Sequence, residues 1–91
     1  MRRLEWRPAA RADLSSIIDH IAADNLDAAN ALLAEIEAKA ERLIEHPKLY
    51  RAGRVDGTRE MVVRPNYIVV YSEDASDVRV LRVLHAAQQW P

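Results

Sequence analysis

Ninety-one residues, 49% hydrophobic and 30% charged, are expected to form one small globular domain over residues 1–91, too aliphatic to stay disordered and able to bury roughly 60–68% of its unfolded surface. The formal charge of −1 argues against a counterion-releasing grip on many phosphates: residues 49–91 hold six arginines against five carboxylates, and residues 25–48 are mildly acidic. Without cysteine there is no disulfide, thiolate metal site or thiol nucleophile, and no run approaches a secretory signal or the ~18 apolar residues of a membrane span, so a cytoplasmic protein without membrane contact is expected.

Residues 2–7 alternate, with Leu4 and Trp6 on one side of a short strand and Arg3 and Glu5 on the other. Pro8 suits the first turn of a helix. From there Ala10, Leu14, Ile17, Ile18 and Ile21 recur at helical spacing to about Ala23, while Asp13, Asp19 and His20 fall away from the stripe. Asp24 and Asn25 offer capping side chains for a second helix, whose seam is Ala29, Leu33, Ile36, Ala40 and Leu43, broadened by Leu32 and Ile44. Glu35 and Lys39 are spaced for an i,i+4 pair, and Glu37, Glu41 and Glu45 form an acidic ridge. This helix is expected to end at His46-Pro47. A loop with Gly53 and Gly57 leads to strands over residues 58–63, 67–72 and 78–84, separated by turns at 64–66 and 73–77.

The order strand, helix, helix, strand, strand, strand predicts an α+β fold, β-α-α-β-β-β. It is an antiparallel sheet with a two-helix hairpin packed on one face and the other face partly open. Strict alternation places Tyr67, Val69 and Tyr71 on one side of their strand, with Ile68 and Val70 opposite. The same rule groups Val78, Val80, Arg82 and Leu84 against Arg79, Leu81 and Val83. Arg59 and Glu60 suggest a cross-strand ion pair at a sheet edge, Tyr71 a half-buried sheet residue, and Trp90 an aromatic pin for the C-terminal segment. His20, His46 and His85 lack the spacing of a metal or hydrolase motif, and no cofactor or metal is implied.

Leu4 to Leu14, the Gly57-Thr58-Arg59-Glu60 turn and strand, and the tail His85-Ala86-Ala87-Gln88-Gln89-Trp90-Pro91 together resemble the RelE/ParE superfamily of bacterial toxins, the toxic halves of type II toxin–antitoxin pairs. The resemblance covers nearly the whole chain. It implies one of two activities: ParE-like inhibition of DNA gyrase without catalysis, or RelE-like ribosome-dependent cleavage of mRNA. For the second, the candidate catalytic residues are Arg59, Tyr71 and His85. Interferases of this superfamily place a basic residue where Ile68 stands, and tails reading His-Gly-x-Arg-x-Trp are matched here with Ala86 for the glycine and Gln88 for the arginine. Losing one charge-stabilising donor commonly costs ~10²- to 10³-fold in rate, so two missing cations favour the ParE-like, non-catalytic reading.

The resemblance also implies an antitoxin whose C-terminal helix and extended segment wrap the toxin, by helix-in-groove and strand-addition contacts. DNA would be touched only through that antitoxin. Candidate residues for binding antitoxin or target are Arg59, Arg64, Arg82, Gln88 and Trp90, with Arg59 and Arg82 able to meet antitoxin carboxylates.

Overall fold

The computed structural model describes residues 2–91, and its elements run β1 (Arg3–Trp6), α1 (Pro8–Ala22), α2 (Leu26–Arg42), β2 (Arg51–Ala52), β3 (Arg59–Arg64), β4 (Tyr67–Glu73) and β5 (Asp77–His85). Pro8 opens α1 where its missing N–H costs nothing, and Asn25 caps α2 by accepting the Ala28 N–H at 3.0 Å. α2 stops at Arg42, short of the expected His46-Pro47. The N–H groups of Leu43, Ile44 and Glu45 bond three residues back instead of four, and proline disfavours helical backbone at the residue before it, so the chain tightens into turns. Leu43 nonetheless keeps its place in the core, 1% exposed.

The α+β arrangement is as expected, with β3, β4 and β5 forming an antiparallel meander and both helices on one face. Two strand pairings complete a five-stranded mixed sheet of order β1-β5-β4-β3-β2. β1 runs parallel to β5, Leu4 opposite Val78 and Trp6 opposite Val80, and the two-residue β2 pairs with the start of β3. Arg51-Ala52 is too short to alternate and has no β-branched residue, which hid it from pattern reading. The turn between β2 and β3 contains Gly57 at φ 81°, in the left-handed region where a side chain would be strained.

One expectation about β5 needs correction. Val70 lies opposite Arg82 while Tyr71 lies opposite Val80, so Leu81 is an extra residue, a β-bulge. The bulge inverts parity along the second half of the strand. Val78, Val80 and Val83 therefore face the helices, and Leu84 points to the other side with Ile68 and Val70. β4 alternates as expected.

The helix-covered face holds the main core, in which Leu32, Ile36, Met61, Val69, Tyr71 and Val80 are each 0% exposed. On the opposite face Ile68, Val70 and Leu84 make a smaller apolar strip roofed by Trp90.

Candidate functional site

β5 delivers His85 to the sheet end, where its exposed ring stands edge-on to Tyr67 with centroids 5.6 Å apart. The chain then turns sharply: the Gln88 N–H donates to the His85 carbonyl at 2.8 Å, and the Gln88 Oε1 accepts the His85 N–H at 3.4 Å. The Ala87 N–H donates to His85 Nδ1 at 3.2 Å, an arrangement in which Nδ1 must offer a lone pair. This turn carries the tail back beneath the sheet and sets the Trp90 ring against the apolar strip.

Beside that ring lies Arg82, its guanidinium carbon 5.5 Å from the indole centroid. The same guanidinium is held from the other side. Arg82 Nε donates to Asp13 Oδ2 at 2.6 Å and Nη2 to Oδ1 at 3.0 Å, while the Val83 N–H donates to Oδ2 at 3.0 Å. Hydrogen bonding to Asp13 raises the Arg82 pKa above its already high ordinary value. In the sequence pattern Asp13 falls away from the apolar stripe of α1, yet it reaches β5. It lies three residues after Ala10 and four before Ile17, at the margin of the apolar stripe, and that spacing was the available signal. Arg82, set down as a partner for incoming carboxylates, already has one.

Arg59 and Tyr71 face each other across β3 and β4 near the opposite end of the sheet. Tyr71 is not half-buried but 0% exposed, and its hydroxyl donates to the Pro47 carbonyl at 2.7 Å beneath the loop that follows α2. Burial pushes this phenol up from 10.0 to about 12. Arg59 donates to the Tyr50 carbonyl at 2.9 Å and lies 4.0 Å from Glu73. The expected Arg59–Glu60 pair does not form, because consecutive strand residues point to opposite faces. Glu60, only 2% exposed, instead receives Arg51 at 3.3 Å, Arg54 at 3.2 Å and the Arg54 N–H at 3.1 Å, which compensates a buried carboxylate. Since His85 sits opposite Tyr67 and Arg59 opposite Tyr71, four residues of β4, about 13 Å along the strand, separate the level of the histidine from that of the other two. The three candidate catalytic residues are not brought together.

Arg64 joins the helix pair rather than standing free: it reaches Glu35 at 2.9 Å, and Lys39 meets the same carboxylate at 3.2 Å. Arg64 first, then Lys39, holds Glu35 below the ordinary carboxylate range. The expected i,i+4 pair is thus one arm of a three-residue cluster. Between α1, α2 and β1 runs an open groove of ≈ 300 Å³ with Trp6, Leu14, Ile18 and Leu33 on its walls and Arg11, Asp19 and Glu37 at its rim. Among the described residues, no helix is long and apolar enough to cross a membrane, and no three His, Asp or Glu side chains converge on one point.

Residues 4–90 match the family model for the ParE toxin of the type II toxin–antitoxin system parDE. The chain is 36% identical over 90 residues to a putative toxin, Y4kP, of Sinorhizobium fredii, covering 99% of this chain and 94% of that one. It is 32% identical over 88 residues to toxin RelE2 of Caulobacter vibrioides, covering 97% and 99%. Among solved structures it is similar to the chromosomal ParDE system of P. aeruginosa, with TM-score 0.82 at 21% identity over 93% of this chain and 96% of the other. It is also similar to YafQ of E. coli, with TM-score 0.68 at 16% identity over 96% of each chain. At those identities the two structures speak to the fold alone.

Proposed function

We propose, since this chain belongs to the ParE toxin family of type II toxin–antitoxin systems within the RelE/ParE superfamily, that it arrests growth as a ParE-like inhibitor of DNA gyrase, acting by contact rather than by hydrolysis. The observation that carries this reading is the dispersal of the nuclease candidates. A ribonuclease needs base, acid and cation around one phosphate. Here His85 lies about 13 Å along β4 from the Arg59–Tyr71 pair. Tyr71 is buried with its hydroxyl engaged. Ile68 and Gln88 stand where superfamily nucleases place cations. The surface left for target contact is the tail around His85, Gln88 and Trp90.

The same reading assigns the neutralising partner, an antitoxin, to the helix hairpin. The groove walled by Trp6, Leu14, Ile18 and Leu33 suits the apolar face of a helix, and the outer edge of β1 beside it is open for strand addition. Expression of the chain alone, with DNA and protein synthesis followed separately by pulse labelling, tests the reading. DNA synthesis is expected to stop first, with purified protein inhibiting gyrase supercoiling and accumulating cleaved DNA. Early loss of translation with mRNA cleavage that His85→Ala abolishes would replace it with the ribosome-dependent nuclease.

A further inference from the structure

We propose that Asp13, on α1, is a positioning residue for the C-terminal tail on the opposite face of the sheet, acting through Arg82. β1 ends at Trp6, opposite Val80, and leaves the rest of β5 with an open edge. Asp13 closes that edge, taking the Val83 N–H on one oxygen and the Arg82 fork on both. A two-point carboxylate grip fixes the plane of a guanidinium as well as its position. That plane is what Trp90 meets, 5.5 Å from the guanidinium carbon to the ring centroid.

The seat of the indole has little else to hold it. Its floor is the short strip of Ile68, Val70 and Leu84. Its Nε1 is buried with no hydrogen-bond partner, so no polar bond locks the ring in place, and that unmet donor favours release into water. In the proposal the tail has a released arrangement beside the seated one, and Asp13 biases the choice between them from the far side of the sheet. Carboxylate, guanidinium and indole form a continuous series of contacts along which a change at Asp13 reaches the tail. The consequence for target contact rests on the tail's role in the function proposed above; the positioning itself does not.

The test uses the full chain carrying Trp6→Phe, so that tryptophan emission reports Trp90 alone. Acrylamide quenching is compared before and after Asp13→Asn and, separately, Arg82→Lys, which retains the charge but not the fork. Loss of a cation–π contact at such exposure shifts an equilibrium about two- to fivefold, and quenching should rise with it; Asp13→Glu, which restores a carboxylate, should bring much of it back. Unchanged quenching in a folded Asp13→Asn overturns the proposal whatever Arg82→Lys shows; if Asp13→Asn does not fold, unchanged quenching in Arg82→Lys overturns it instead. Growth arrest is scored in parallel. Released Trp90 with undiminished arrest leaves Asp13 in its positioning role and removes the tail from target contact.

Discussion

On one face of the sheet Tyr71, Met61 and Val80 lie completely buried beneath Leu32 and Ile36, held there by two helices packed together, the second of them capped by Asn25. On the other face Ile68, Val70 and Leu84 are shielded by the indole of Trp90, at the end of a tail held by its own turn, by the Ala86 N–H bond to the Asn66 carbonyl at 2.9 Å and by one guanidinium. The same five strands thus support a region expected to open only with global unfolding and a region expected to be uncovered locally. Stability belongs chiefly to the first, and the second carries the target contact proposed above.

The largest effect that would sharpen this contrast is Ile36→Ala, expected to cost about 3 kcal/mol in urea unfolding because it leaves a cavity under the helices. Alkali probes the same face. The Tyr71 phenol is raised in the fold, so its contribution is complete below its ordinary value of 10.0 and is lost as pH rises toward about 12. Two units correspond to roughly 2–3 kcal/mol, readable as destabilisation over that window and absent in Tyr71→Phe. Trp90→Ala should cost less, about 1–2 kcal/mol, while abolishing growth arrest. If it destabilised as much as Ile36→Ala, the two faces would not differ in the way described.

The smallest effect lies at the acid end. Glu35 is held low by Arg64 and Lys39, and Asp74 by the N–H groups of Asp77 and Ser76 with Arg79. Both contributions are present above the ordinary values of 4.5 and 3.8 and fade as pH falls through the lower folded values. Glu35→Gln and Asp74→Asn should each flatten that decline slightly in urea midpoints measured at descending pH.

How much of this was legible in the sequence depended on range. Local signals were readable: the Asn25 cap, the Pro8 start, the alternation of Tyr67 through Tyr71 and the Glu35–Lys39 pair are each fixed by neighbours a few residues away. The Leu81 bulge was not, since a run of valines and leucines alternates equally well in either parity and only the register against β4 reveals the extra residue. Nor was the depth of Tyr71, which depends on Pro47 closing over it from 24 residues away. At the candidate site, His85 and Trp90 could be picked out by their place in the tail. Asp13, which meets Arg82 across 69 residues, could not be recognised as its partner until the two elements were seen side by side.

The parallel pairing of β1 with β5 has a bearing on the birth of the molecule. Residues 3–6 cannot meet their neighbours at 77–80 until those have left the ribosome, and β5 is the strand that joins β1 to the rest of the sheet, so β1 stays unpaired until β5 is made. Chains whose contacts span most of their length acquire their structure late. On the function proposed above, the chain can act only after translation of β5, and an antitoxin made alongside it has that interval in which to arrive first.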